Sequence, residues 1–205
     1  METPIASRHL PADARRAATV EAFVDLAART NPSDISTTAI ARHMSVTQGA
    51  LFKHFPTKEA ILEAVMGWVA ERLLTRVDAA ARQAASPLAA LEAVFMAHVA
   101  FVTAHPGVPR MLFGELQRAE MSGPKRMAQT LIARYGERVR ALLAQGKAVG
   151  EVRSGVDEGT AALLFIGSVQ GLVMQSLLAG NVGQMGVQAP GVFALFRDAL
   201  TGARA

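Results

Sequence analysis

Helical periodicity runs through almost every long segment of this chain, and it is the feature that most limits the possible folds. Apolar residues recur three or four positions apart, whereas no stretch alternates apolar and polar residues long enough to form a convincing strand. In the segment 12–30, for instance, Val20, Phe23 and Ala27 lie on one helical face. The sequence therefore predicts an all-α fold with about nine helices.

Proline, glycine and capping residues place the ends of these helices. Asn31-Pro32-Ser33 ends the first one, and Thr57 is a predicted N-cap. Ser86-Pro87 opens a helix that His105-Pro106-Gly107 closes, and the glycine-rich segment 180–186 is a predicted loop. The predicted helices span 12–30, 37–44, 47–54, 58–82, 87–104, 108–117, 124 to between 146 and 150, 157–179, and 190–201.

Composition excludes several classes of protein. The chain has 205 residues, 51% of them hydrophobic, so it can bury a core, and its scattered glycine and proline argue against a disordered tract. The absence of cysteine excludes a disulfide framework, a thiolate zinc site and a cysteine nucleophile, and agrees with a reducing compartment. Residues 1–16 contain no apolar run, so we expect no signal peptide and a cytoplasmic location.

Basic charge is concentrated in one stretch. A net charge of +4 gives only weak support for a polyanionic partner. Residues 36–58, however, contain no acidic side chain and include Arg42, Lys53 and Lys58 together with two histidines, which favours nucleic-acid binding there. A second basic cluster, in 125–153, is more simply a solvated helix face, and we assign it no function.

The same stretch has the apolar pattern of a helix-turn-helix. Two short helices crossing steeply would bury five side chains against the first helix, and Ala41 would lie where the two helices come closest. The five are Ile40, Met44, Val46, Leu51 and Phe55. The second helix would present Thr47, Gln48, Ala50, Phe52, Lys53 and His54 outward. Hydroxyl, amide and cationic groups of this kind suit phosphate and base contacts in a major groove, and the alternative is a merely solvated helix.

The sequence TTAIARHMSVTQGALFKHFPTKEAIL, residues 37–62, resembles the signature of the TetR family of bacterial transcription regulators. The resemblance covers about 14–70, and VGEVRSGVDEGTAALLFIGSVQGL, residues 149–172, is similar to the eighth helix of that family. It implies a three-helix DNA-binding domain, 1–56, and a ligand-binding and dimerisation domain, 57–205, joined by a fourth helix. It also implies repression that a small ligand relieves.

The resemblance assigns DNA contacts by position. Thr37 and Thr38 would approach a phosphate strand, and Lys58 would lie beside the DNA backbone. The recognition helix would contribute Thr47, Gln48, Gly49, Ala50, Phe52, Lys53 and His54.

Two positions depart from the family pattern. Ser45 replaces the usual glycine of the turn, at a cost of about 1 kcal/mol if its φ is positive. Phe52 stands where a tyrosine commonly donates a hydrogen bond from its hydroxyl to a phosphate. The absence of that hydrogen bond removes about 1 kcal/mol of sequence-independent DNA affinity. Base readout is therefore expected to depend mainly on Gln48 and its small neighbours.

Candidate effector-binding residues are mostly apolar. They are Phe95, His98, Phe101, Met111, Phe113, Gln170 and Met174. His98 is either a satisfied core histidine or a polar anchor, and a metal ligand is disfavoured because no histidine or carboxylate lies one turn after it. We expect an apolar or aromatic effector, no metal and no cofactor.

Residues 161–179 carry no charged side chain, which permits two interpretations. A membrane span is disfavoured by four polar residues, by the lack of flanking charge asymmetry, and by the lack of a second such segment. The polar residues are Ser168, Gln170, Gln175 and Ser176. A helix covered on one side by its own core and on the other by a second subunit is the favoured interpretation.

Gly167 and Gly171 clear a strip of this helix for close packing. That packing could lie within the subunit or across a homodimer. The family resemblance favours the dimer, in which Phe193 and Phe196 of the last helix would help complete a four-helix bundle.

No enzyme site is visible in the sequence. The chain shows no nucleophile with its base, no paired carboxylates, no metal set, and no phosphate-binding glycine loop preceded by a strand. We expect a dimeric DNA-binding repressor that an effector releases from a palindromic operator. The open alternatives are an activator, a ligand-independent regulator and, with less support, an architectural DNA protein or a membrane-associated or interaction protein.

Overall fold

The computed structural model describes residues 11–202, and within this range the predicted all-α fold is confirmed. The described residues form nine helices and one 3₁₀ turn, Pro32–Asp34. The helices are α1 (Ala12–Ala27), α2 (Thr37–His43), α3 (Gln48–Phe52), α4 (Lys58–Gln83), α5 (Pro87–Ala104), α6 (Gly107–Leu116), α7 (Gly123–Ala148), α8 (Glu158–Leu178) and α9 (Gln184–Thr201). The expectation about a signal peptide concerns residues 1–16, of which 1–10 lie outside the described residues.

Side-chain caps begin two helices where the sequence predicted. The Thr57 hydroxyl accepts a hydrogen bond from the Ala60 N–H at 3.0 Å, just before α4. Ser86 likewise accepts from the Ala89 N–H at 3.3 Å, and Pro87 fills the first position of α5. Each cap satisfies a backbone donor that the first helical turn cannot pair internally.

The predicted start of α9 was wrong. The glycine-rich segment before Pro190 was expected to be a loop, yet the helix begins at Gln184 and contains Pro190. Met185 and Ala189 are fully buried, and this burial favours a helical turn over the loop preference of the neighbouring glycines. Pro190 is the seventh residue of this helix, so the helix lacks the bond that an N–H at this position would donate to the Gly186 carbonyl.

The chain folds into two compact units. The first consists of residues up to Val69 together with His105–Ala128. The second consists of Ala70–Ala104 together with the residues from Gln129 onward. α4 and α7 therefore each contribute residues to both units. The division into a DNA-binding domain, 1–56, and a ligand-binding and dimerisation domain, 57–205, is a division by role and stays a prediction.

α1 and α6 approach each other closely in the first unit. Gly107 begins α6, and a Cβ added there would lie 2.5 Å from the carbonyl carbon of Ala27, the last residue of α1. Only glycine permits this approach of one backbone to another. In the same unit, the Trp68 ring of α4 meets the His105 ring edge-on, with their centroids 5.1 Å apart.

An aromatic cluster of α5, α8 and α9 forms the core of the second unit. Phe95 packs edge-on against Phe165 at 5.2 Å between centroids, and Phe193 and Phe196 close the cluster. Each such ring pair stabilises the fold by about 0.5–1.5 kcal/mol beyond simple burial. The cluster joins α5 to α8 and α9, which follow much later in the chain.

Two helices, α5 and α8, are long and apolar enough to cross a membrane by length and composition. The expectation of a single such segment was therefore wrong, because Glu92 and His98 interrupt the apolar run of α5 without making the helix polar. The core helices of soluble proteins have the same properties, and both helices bury phenylalanines in the aromatic cluster. A membrane span thus gains only weak support.

Ser45, in the turn between α2 and α3, has a positive φ of 56° and is the only non-glycine residue to do so in the described chain. We expect Ser45→Gly to raise the free energy of unfolding by about 0.5–1 kcal/mol, because relief of left-handed strain exceeds the added chain entropy. Urea denaturation measures this change. Ser45→Ala keeps the Cβ, so an equal gain from alanine would contradict the explanation.

Candidate nucleic-acid interface

α2 and α3 form the helix-turn-helix that the sequence predicted. Ala41 and Leu51 are each 2% exposed, and the Val46 N–H donates to the Ala41 carbonyl at 2.9 Å, which closes the turn. Met44 and Val46 are only half-buried, so two of the five apolar side chains predicted to be buried remain partly accessible. The scaffold nevertheless holds the second helix by its apolar face.

α3 presents a short surface of mixed character. Its N-cap is Thr47, whose hydroxyl accepts from the Ala50 N–H at 3.2 Å. A Cβ added at Gly49 would meet nothing within 4 Å in the described chain, so a docked molecule can approach closely there. Gln48, Gly49, Phe52 and Lys53 are exposed, whereas Ala50 and His54 are half-buried.

A side-chain hydrogen bond joins the first residue of α2 to the first residue of α3. The Gln48 Nε2 donates to the Thr37 Oγ1 at 2.8 Å on the exposed surface of the unit. Thr38, which is exposed, follows the half-buried Thr37 in α2. The sequence predicted that both threonines and Gln48 contact DNA, and the structure places Thr37 and Gln48 together.

Arg16 of α1 holds the C-terminal end of α3, a role that the sequence analysis missed. Its guanidinium donates to the His54 carbonyl at 2.7 Å and lies 4.4 Å from the centroid of the Phe55 ring. The signal was present in the spacing, because Arg16 falls on the same helical face as Val20 and Phe23. A cation on an apolar face indicates a specific partner.

Lys58 does not take the place that was predicted for it. Its ammonium donates to the carbonyls of Pro32 and Ser33 at 3.2 and 2.9 Å, so it ties the start of α4 to the 3₁₀ turn. Burial lowers the pKa of Lys58, while the negative charges of Asp34 and Glu115 oppose that shift. The assignment of Lys58 to the DNA backbone is therefore corrected to a structural role within the first unit.

The predicted effector residues are divided between the two compact units. Phe95, His98, Phe101, Gln170 and Met174 belong to the second unit, whereas Met111 and Phe113 belong to the first. Phe95, Phe101 and Met111 are buried, and Phe113 is half-buried.

Gln170 and Met174 lie on the exposed face of α8, which contradicts their assignment to an internal pocket. A helix that is apolar all round gives no periodicity from which to choose its inner face.

His98 is half-buried in the second unit, where its ring bonds to Tyr135. Its Nδ1 lies 3.1 Å from the Tyr135 hydroxyl, and the two rings meet edge-on. Burial lowers the pKa of His98 to about 4 and raises the pKa of Tyr135 well above its ordinary value. At neutral pH both groups are uncharged, so any ligand they contact meets hydrogen-bonding groups rather than a cation.

Gly167 and Gly171 lie on the exposed face of α8, and a Cβ added at either would meet nothing within 4 Å in the described chain. Close packing within the subunit therefore does not explain why these two positions are glycine. Phe193 and Phe196 were predicted to contact a partner subunit. They are instead buried inside the aromatic cluster, where they are 1% and 4% exposed. α9 instead exposes Val187 and Leu195.

Comparison with known proteins bears first on the helix-turn-helix. The sequence profile described as bacterial regulatory proteins, tetR family, matches residues 20–65, which include all of α2 and α3. The helix-turn-helix matches that of the TetR family. The described residues contain no group of three or more metal-ligating His, Asp or Glu side chains.

The likeness extends beyond that domain. The nucleoid occlusion factor SlmA of Idiomarina loihiensis is 26% identical over 147 residues, 71% of this chain and 75% of that protein. FadR of Bacillus subtilis, solved with stearoyl-CoA, has a TM-score of 0.79 at 17% identity, covering 90% of this chain and 98% of that one. The fatty acid degradation regulator FadR of Bacillus halodurans has a TM-score of 0.81 at 17% identity, covering 97% and 99%. The chain therefore has the same fold as these regulators.

Proposed function

We propose that the protein is a homodimeric repressor that binds a palindromic operator in double-stranded DNA and leaves it when a small apolar or aromatic effector binds. The observation that carries this proposal is the exposed surface of α3, where an amide, a glycine, an aromatic ring and a cation stand on a rigid helix-turn-helix. Gln48 offers groups that match adenine, and Lys53 offers charge to phosphate. The DNA-binding role belongs to 1–56 and the ligand-binding and dimerisation roles to 57–205.

An exposed apolar strip supports the dimer. The α8 strip consists of Leu163, Leu164, Gly167, Gly171, Met174 and Leu178, and Leu163 and Leu178 are 73% and 75% exposed. Val187 and Leu195 of α9 are 82% and 74% exposed. A soluble chain rarely leaves so many large apolar groups in water, and the glycines allow a second copy of α8 to approach closely. Twofold pairing of α8 and α9 would cover them.

In a dimer, an effector can change DNA affinity by changing the spacing of the two α3 helices. Two α3 helices must lie about 34–36 Å apart to enter successive major grooves on one face of the duplex. An effector that prefers a different spacing lowers DNA affinity by the ratio of its affinities for the two states. We propose His98, neutral and bonded to Tyr135, as the polar anchor for this ligand. The stearoyl-CoA bound to a FadR of the same fold supports an effector with a long apolar portion.

Selection from a duplex library with a randomised centre tests the proposal. We expect enrichment of an inverted repeat, followed by release of the selected duplex by lipophilic compounds in a screen that also contains charged metabolites. Thermal shifts with the same compounds give a second measurement. No enriched sequence would sink the DNA-binding role, and a response confined to charged metabolites would sink the apolar effector.

Substitutions in α3 separate base readout from charge. We expect Gln48→Ala to weaken binding to the selected operator by about 1–3 kcal/mol and to leave binding to random DNA nearly unchanged. Lys53→Ala should weaken both and reduce the slope of log affinity against log salt by about 1. Titration of labelled duplexes at several salt concentrations measures both effects.

Lys58→Ala is the matched control, because its ammonium is engaged within the unit. It should lower stability and leave the salt slope unchanged. Equal losses on operator and random DNA for Gln48→Ala would contradict base readout by that residue.

A second candidate function is the nucleoid occlusion named for the SlmA relatives, whose likeness covers 71% of this chain in one case. Mapping bound sites across the genome distinguishes the two. Sites confined to promoters, with transcripts that change on deletion, support a transcriptional regulator. Sites spread over the chromosome without transcript changes would support nucleoid occlusion.

A further inference from the structure

We propose that Thr37 is a positioning residue that holds Gln48 for recognition of an adenine in the major groove. The inference rests on the proposed function, because it requires that α3 reads a specific duplex. It goes further by giving Thr37 a role beyond phosphate contact.

The geometry begins with the hydrogen bond between the two residues. The Gln48 Nε2 lies 2.8 Å from the Thr37 Oγ1, although the residues are eleven positions apart. Each is the first residue of its helix, and each helix start is fixed by its own cap, Ser36 for α2 and Thr47 for α3. Both ends of the bond are therefore attached to capped helix starts.

The bond leaves the groups that adenine requires. An amide nitrogen carries two hydrogens, so one donated to Thr37 leaves a second beside the free Oε1. Adenine presents an acceptor, N7, next to a donor, the N6 amino group, and a glutamine matches both at once. The Thr37 hydroxyl also keeps its own hydrogen, which it can donate to a phosphate.

The positioning has an energetic effect because glutamine is a flexible side chain. A free glutamine at an exposed site samples many rotamers, and ordering them on binding opposes affinity. The bond to Thr37 restricts those rotamers before DNA arrives. Removing the hydroxyl should therefore lower the preference for adenine without removing any group that contacts the base.

The test selects duplexes from the randomised library with six proteins. They are the wild type, Gln48→Ala, Thr37→Val, Thr37→Ser, Thr38→Val and the Thr37→Val/Gln48→Ala double variant. We expect wild type to enrich adenine at one position of each half-site and Gln48→Ala to lose that preference. Thr37→Val, which keeps the shape of the side chain, should reduce the preference about three- to tenfold, as loss of one hydrogen bond predicts.

The remaining variants separate positioning from phosphate contact. Thr37→Ser should restore the preference, and Thr38→Val should leave it intact even if affinity for all sequences falls. In the double variant, Thr37→Val should add no further change in adenine preference. Circular dichroism melts identify folded variants, and Thr37→Ala replaces Thr37→Val if the valine variant is unfolded.

Several outcomes overturn the inference. A uniform loss of affinity in Thr37→Val with the adenine preference unchanged would reduce Thr37 to a phosphate contact. Retention of the adenine preference in Gln48→Ala, or additive changes in the double variant, would show that Thr37 does not act through Gln48. A wild type that enriches no sequence would overturn the proposed function as well, whereas normal selection by wild type and Thr37→Val alike overturns the positioning role alone.

Discussion

Replacement of Gly107 by alanine is expected to destabilise the first unit by about 3 kcal/mol or more, because overpacking against rigid atoms has no cheap relief. The added Cβ would lie 2.5 Å from the Ala27 carbonyl carbon, 2.6 Å from its Cβ and 2.8 Å from its oxygen. These are backbone atoms or atoms next to the backbone, so α1 and α6 must separate to admit the methyl group. Urea denaturation followed by circular dichroism measures the loss.

Gly114 of the same helix provides the matched control. A Cβ added there meets nothing within 4 Å in the described chain. Gly114→Ala should therefore stabilise the unit by up to about 1 kcal/mol, since alanine is the better helix former. If both alanine variants changed stability by the same amount, close packing at Gly107 would not be the cause.

Loss of the dimer should abolish operator binding. We expect the Leu163→Glu/Leu178→Glu variant to be monomeric and to bind the selected operator roughly 100-fold more weakly or worse, because the second half-site no longer benefits from tethering. Four charges across a twofold-related strip would be buried without partners. Light scattering measures the oligomeric state, and duplex titration measures the affinity.

Val149→Glu is the control for this experiment. Val149 is 63% exposed but lies outside the α8 strip, after the end of α7. It should leave both the dimer and operator binding unchanged. A double variant that remains dimeric and binds normally would show that this strip is not the interface.

The sequence predicted best where local chemistry and spacing agree. The Thr57 cap and the helix start at Ser86-Pro87 follow from single positions, and the structure confirms both. Ser45 has the positive φ that the sequence analysis gave only as a condition. The helix-turn-helix also follows from spacing, since Ala41 and Leu51 are buried as the apolar pattern predicted.

The errors arose where tertiary packing decides. Lys58 was expected to face DNA, but its ammonium donates hydrogen bonds to the carbonyls of Pro32 and Ser33 in the 3₁₀ turn. Gln170 was expected in an internal pocket and is exposed, whereas Phe193 was expected at a dimer interface and is buried. α8 and α9 are apolar on several faces, and the packing of the phenylalanine cluster determines which face is buried. No short segment of the sequence indicates which face that is.

The two compact units each carry an intrinsic fluorophore. Trp68 is the only tryptophan of the chain and belongs to the first unit, against His105, whereas Tyr135 is the only tyrosine and belongs to the second, against His98. Selective excitation of Trp68 therefore reports on the first unit in the native sequence, without labels. Because the chain has no cysteine, a single one introduced at any exposed site gives a unique dye position. Unfolding order and effector response of each unit become separately observable.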